Sequence, residues 1–238
     1  MTIFRYAPEL LARFPTLVGG VLLASDLKSG PTPPALAEEY ADEQQAVLTR
    51  IGETPLSQIP ALAAWRSVFR GFGVDPTQYR SAPEALLRRL TKKGSIPSIN
   101  ALVDLGNLVS IRYALPVALF DLRATQGAIA VRFADGSERY TTLGEAEADA
   151  PQPGEVVFVD ETGLVVARRW CWRQSDESAV HPGTREALVT VEAHGETARS
   201  DVGAAQGDLK RMLATYAGGV SVADMLDATH PEFDLERR

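Results

Sequence analysis

The sequence predicts an α+β fold, a mostly antiparallel sheet flanked by helices, on three observations. Between Ala35 and Tyr113 apolar residues recur three and four apart. From Ala128 to His194 they alternate in short runs broken by glycine turns. A last helical stripe then runs from Val202 to Tyr216. With 238 residues, 45% hydrophobic and 23% charged, the chain carries enough apolar material for a sizeable core.

The stretch Thr16 to Ser25 is apolar, contains Gly19 and Gly20, and follows Pro15. It reads as a buried strand rather than a leader, and no run approaches the roughly 20 apolar residues that span a bilayer. The proline-rich Lys28 to Pro34 ends that strand. An acidic helix follows from Ala35 to Ile51, carrying Glu38, Glu39, Asp42 and Glu43.

A second helix runs from about Ile59 to Phe72, with Leu62, Trp65, Phe69 and Phe72 on one stripe and Arg66 and Arg70 together on a neighbouring face. Ser81, with Pro83 and Glu84 after it, resembles a capping box that opens a third helix through Lys93. Ile96 to Tyr113 is apolar around most of its circumference, with Asn100, Asp104 and Asn107 in one polar row. Buried amides and carboxylates without partners cost on the order of 1 to 3 kcal/mol each. The row therefore braces a loop or lines a pocket, and bracing is the expectation for Asp104.

The strands expected next are Ala128 to Phe133, Glu138 to Thr142, Glu155 to Asp160, Leu164 to Arg173 and Leu188 to His194, with Asp135-Gly136 and Glu161-Thr162-Gly163 as turns. Alternation along Leu164 to Gln174 puts Val166, Arg168, Trp170, Trp172 and Gln174 on one face, where two indoles form either core or a stacking wall. In Leu188 to His194, Val189, Val191 and Ala193 share a face opposite Thr190, Glu192 and His194. Glu192 is then either a surface acid or a pocket acid. The final helix, after Asp201, stops at Gly218-Gly219. Residues 1–220 are read as one domain and 221–238 as a tail.

Charge and side-chain chemistry narrow the functional classes. A net charge of −7 disfavours indiscriminate nucleic-acid binding, yet seven basic residues against two acids between Trp65 and Ser95 give a local charge of +5. That cluster is a solvated helix face or a phosphate-binding surface. A single cysteine, Cys171, and three histidines leave no disulfide and no zinc spacing, so no metal or cofactor and a cytoplasmic setting are expected. Nucleophile-elbow, phosphate-loop and dinucleotide signatures are missing. His181, in a loop with Pro182 and Gly183, suits proton transfer near neutral pH.

The run SINALVDLGNLVSIRYALPVALFDL, Ser98 to Leu122, resembles the tRNA-editing domain of the phenylalanyl-tRNA synthetase beta subunit, where a helix with Val-Asp-x-x-Asn leads into Pro-Leu-His-Ala-Phe-Asp. The strand pair GAIAVRFADGSERYTTLG and the strand GTREALVTVEA extend the resemblance over most of Ser81 to Gly195. AAWRSVFRGFG, SIPSIN and RRWCWRQS resemble free-standing proteins of this B3/B4 type.

The resemblance implies hydrolysis of a wrongly attached amino acid from tRNA in a pocket between helix and sheet. It places Glu192 in that pocket, matching the family's strand glutamate that helps recognise the tyrosine hydroxyl. Glu192 and His181 are then the catalytic candidates, and Asn100, Asn107, Ala118, Trp172, Arg173, Gln174 and Thr184 the substrate-binding ones. Arg66, Arg70, Arg88 and Arg89 become candidates for holding tRNA. The partners implied are the aminoacylated 3′ end and its amino acid moiety, with no membrane and no DNA. The family's motif histidine falls on Ala118, and Trp172 stands near its glycine-rich strand end. Trp172 there reshapes the pocket toward a smaller or differently oriented ligand, and the Ala118 replacement favours the alternative of a noncatalytic binding module for an amino acid, an aminoacyl-tRNA or a related small molecule.

Overall fold

Helices, a four-stranded sheet and a six-stranded sheet stack as three layers in a computed structural model that describes residues 2–145 and 147–237. The four-stranded sheet has the order β11 (Val220–Leu226), β2 (Leu17–Ser25), β10 (Ala187–His194) and β3 (Val117–Asp121), with every pairing antiparallel. The six-stranded sheet has the order β12 (Glu232–Asp234), β1 (Thr2–Tyr6), β4 (Ile129–Phe133), β7 (Val156–Val159), β8 (Val165–Arg168) and β9 (Arg173–Gln174). Only its β1–β4 pair is parallel. The expected α+β fold with mostly antiparallel pairing is observed.

The two faces of the four-stranded sheet explain its composition. Leu22, Ala24, Val189, Val191 and Ala193 face α5 (Ala101–Tyr113) and α6 (Ala198–Met212), while Leu17, Val21, Leu188 and Phe120 face the other sheet. Both faces are buried, so β2 reads as a continuous apolar run. Outside α5 lies α2 (Pro34–Ile51), and α1 (Pro8–Arg13), α3 (Pro60–Gly71) and α4 (Ala82–Lys93) close the remaining sides. The short pair β5 (Tyr140–Thr141) and β6 (Ala148–Asp149) lies beside β8, where Arg168 pairs with Glu155 and Asp149.

Several elements depart from the sequence reading for local reasons. α5 begins at Ala101, because Asn100 is its cap: the Asn100 side chain accepts from the Val103 amide at 3.0 Å. Asp104, fully buried, accepts from the Ile99 amide at 2.9 Å and from the Thr32 hydroxyl at 2.6 Å, and from Ser98. It braces two loops, as expected. The Ser81 box does not form. Glu84 instead pairs with Arg66 of α3 at 2.7 Å, a stronger charged contact than a backbone amide offers. Leu164 to Gln174 is not one strand, because Arg169 and Trp170 are left-handed, with φ of 46° and 61°. Of residues 221–238, expected as a tail, 221–226 continue β11 along Gly19 to Ala24 of β2 and 232–234 form β12 beside β1.

Candidate functional site

A cleft of about 440 Å³, open mouth included, lies between β3, β10 and the turn joining β8 to β9. Phe120, Phe158 and Ala167 make it apolar, and Ala118 and Thr190 stand as direct cross-strand partners in its wall. Glu192, on the same face of β10 as Thr190, is its one carboxylate among the described residues. Pro116 and Ala82 complete one side, so the first residue of α4 touches the cleft.

Glu192 is almost fully buried and accepts three contacts from the opposite sheet. The Tyr6 hydroxyl donates to Oε1 at 2.8 Å, and the Trp170 indole N–H lies 3.2 and 3.1 Å from the two oxygens. Burial raises the carboxyl to a pKa of about 7, against the pull of the Tyr6 and Trp170 hydrogen bonds. Desolvation and the Glu192 charge hold the Tyr6 phenol well above its usual range, so it remains a donor. Gly19, the cross-strand partner of Glu192, permits this meeting: a Cβ there would stand 1.9 Å from the Tyr6 hydroxyl.

The left-handed pair at Arg169 and Trp170 divides the two tryptophans. Residues other than glycine lose roughly 1 to 2 kcal/mol each in that conformation. Trp170 turns inward, with Trp65 and Phe14 at ring distances of 5.3 and 5.2 Å. Trp172 stays at the rim. There the Arg169 and Arg173 guanidinium groups each lie 4.6 Å from its ring centre, and Tyr79 meets it edge-on at 5.1 Å. The two indoles therefore share the cleft lining but form no common stacking wall.

The thiol and the imidazole near the carboxyl are both uncharged at neutral pH. Burial and the Glu192 charge push the Cys171 thiol well above its ordinary range. His194, among Phe14, Trp65 and Trp170, is lowered to about 4 by burial and stays neutral.

Of the residues singled out by sequence, the cleft gathers Ala118, Trp172, Arg173, Gln174 and Glu192. The Gln174 side chain donates to the carbonyls of Leu119 at 2.6 Å and Ser178 at 2.7 Å, which ties the following loop to β3. Asn107 lines a smaller hollow beside Gln174, and Asn100 is spent as a helix cap. His181 and Thr184 lie outside the cleft lining. Thr184 donates to Asp121 at 2.5 Å, and His181 Nε2 is 3.4 Å from the same carboxylate, so this group locks a turn. Arg66 is committed to Glu84, while Arg70, Arg88 and Arg89 are exposed on α3 and α4. Sequence reasoning did not single out Tyr6, whose signal was the Gly19-Gly20 pair inside an apolar strand, or Tyr79 and Arg169. Among the described residues no group of three or more His, Cys, Asp or Glu side chains is placed to hold a metal ion, and no helix is long and apolar enough to cross a membrane.

A family model described as the B3/4 domain matches residues 64–203, more than half of the chain. The phenylalanine–tRNA ligase beta subunit of Aquifex aeolicus is 33% identical over 99 residues, 42% of this chain and 13% of that protein. Its counterpart in Synechococcus sp. is 27% identical over 217 residues, 84% of this chain and 26% of that protein. The chain thus spans about a quarter or less of the length of these curated relatives. An N-terminal fragment of the phenylalanyl-tRNA synthetase beta subunit from Pyrococcus horikoshii superposes with a TM-score of 0.47 at 12% identity, covering 92% of this chain and 50% of that one.

Proposed function

The chain belongs to the B3/4-domain family, and from that premise we propose that it is a trans-editing hydrolase, which cleaves the ester of a misattached amino acid from tRNA. The observation that carries the reading is the buried Glu192 carboxyl in the lining of an apolar cleft, poised to change its charge near neutral pH. A general base works best when its pKa lies near the working pH.

In the proposed reaction the aminoacyl group enters the cleft and ionised Glu192 accepts a proton from the attacking water. The oxygen of that water bonds to the ester carbonyl carbon, and the bond from that carbon to the ribose oxygen breaks. The ribose oxygen leaves with the proton that Glu192 accepted, so free amino acid and free tRNA result and the carboxylate is restored. Arg173, exposed at the mouth, offers positive charge to the oxyanion or to the terminal phosphate. Trp172, flanked by two guanidinium groups, presents a ring on which a nucleobase can stack.

Incubation with a panel of misacylated tRNAs, including tyrosine and its isomers on phenylalanine tRNA, tests this directly. Glu192→Gln is expected to lower kcat/KM at least ~100-fold, and unchanged turnover in that variant would overturn the assignment. The second reading, a binding module without chemistry, is favoured by Ala118 in the wall and by the position of His181 outside the cleft lining. It becomes the better one if no ester on the panel is hydrolysed while amino acids or aminoacyl-tRNA still raise Tm.

A further inference from the structure

A second hollow, of about 900 Å³, lies between the end of α2, the loop after it, α3 and α4. Arg66, Arg80, Arg88 and Lys92 line it against Glu53 and Glu84. Arg66 and Glu84, both largely buried, neutralise one another at 2.7 Å. Arg80, Arg88 and Lys92 then outnumber the remaining acid, Glu53, on a chain whose net charge is −7. Hydroxyls of Thr54, Thr77 and Thr91 lie among them, and cations mixed with hydroxyls are the groups that meet phosphate and sugar oxygens.

The placement gives this groove a direction. Helix α4 starts at Ala82, which lines the apolar cleft. Arg88 and Lys92 lie six and ten residues further along, about 9 Å and about 15 Å at 1.5 Å per residue. They are four apart, on one exposed face. Arg80 stands just before the helix, next to the rim residue Tyr79.

We infer that Arg80, Arg88 and Lys92 form a track for the phosphates of the single-stranded 3′ end of tRNA, leading away from the cleft in which its terminal aminoacyl group sits. The inference rests on the hydrolase reading for the identity of the polyanion. The track excludes Arg70 and Arg89, which do not line the groove, and assigns Arg66 to its wall rather than to the ligand.

The test is the affinity of the full chain for deacylated tRNA, measured by fluorescence anisotropy across a salt series. This readout requires no hydrolysis, so failure of the deacylation assay and failure of the track are separate results. Arg88→Glu/Lys92→Glu is expected to weaken binding tenfold or more and to reduce the slope of log affinity against log salt by about 2, one for each phosphate contact. Arg5→Glu/Lys210→Glu, two exposed positions on β1 and α6, changes net charge by the same amount and should keep the wild-type slope. Trimming the single-stranded 3′ nucleotides from the tRNA should remove most of the difference between wild type and the α4 variant. Equal losses in the two double variants, or an α4 variant whose slope matches wild type with circular dichroism unchanged, would overturn the inference. So would an acidic peptide that competes as well as tRNA does at equal charge.

Discussion

Glu192 links pH to stability with a definite sign. A carboxyl raised in the folded state from an ordinary 4.5 to about 7 favours folding fully below about 4.5, and that contribution is lost as pH rises through about 7. The loss is on the order of 3 kcal/mol at pH 8. His194 acts oppositely: lowered from 6.5 to about 4, it contributes above 6.5 and its contribution disappears as pH falls through about 4. Glu192→Gln keeps His194 intact, so urea titrations at pH 5 and pH 8 should show the variant gaining on wild type by nearly that amount at the higher pH. On the proposed hydrolase reading, kcat/KM above the uncatalysed background should climb about tenfold per unit below pH 7 and level beyond it. Gly19→Ala should destabilise the fold by about 1 to 3 kcal/mol in the same titrations, since the new methyl collides with the rigidly held Tyr6 hydroxyl.

At the scale of elements, one carboxylate ties two loops to α5. Asp104→Ala would strand the Ile99 amide and release the Thr32 and Ser98 hydroxyls, with an expected destabilisation of about 3 kcal/mol. The other end of the helix offers a gain. Ala114 occupies the left-handed C-cap at φ 55°, so Ala114→Gly is expected to raise Tm by a few degrees, a change of roughly 1 kcal/mol read by calorimetry.

Elements were legible where one periodicity ran unbroken, as in α3 with Trp65 and Phe69 or in β10 with its valines. They were illegible where the backbone changed sign. Nothing in Arg169-Trp170 announces two consecutive positive φ values, because neither residue favours them; they accompany the turn that brings the Trp170 indole to Glu192. Strand alternation leaves Glu192 a surface or a pocket acid and only the family resemblance places it in a pocket, whereas its donors Tyr6 and Trp170 were not legible at all. They reach it from distant parts of the chain, and only the sheet stacking brings them there.

For the whole molecule, the C-terminal residues close both sheets. Leu226 and Phe233 are fully buried, and β11 covers β2 along seven register positions. Truncation after Gly219 should expose the β2 edge and leave a chain that aggregates or loses its cooperative unfolding transition, measured by light scattering and urea denaturation. The tail reading missed this because β11 and β12 are each stabilised by a strand from the opposite end of the chain, a pairing that local sequence pattern does not show.

The carboxyl that lines the cleft is also a stitch between layers. Glu192 hangs from the four-stranded sheet, while Tyr6 and the turn bearing Trp170 belong to the six-stranded one. Anything that adds or removes its proton changes how firmly the two sheets hold each other. A ligand that fixes the charge of Glu192 would therefore also change how strongly Tyr6 and Trp170 tie the two sheets together, so cleft occupancy and the cohesion of the layers are linked.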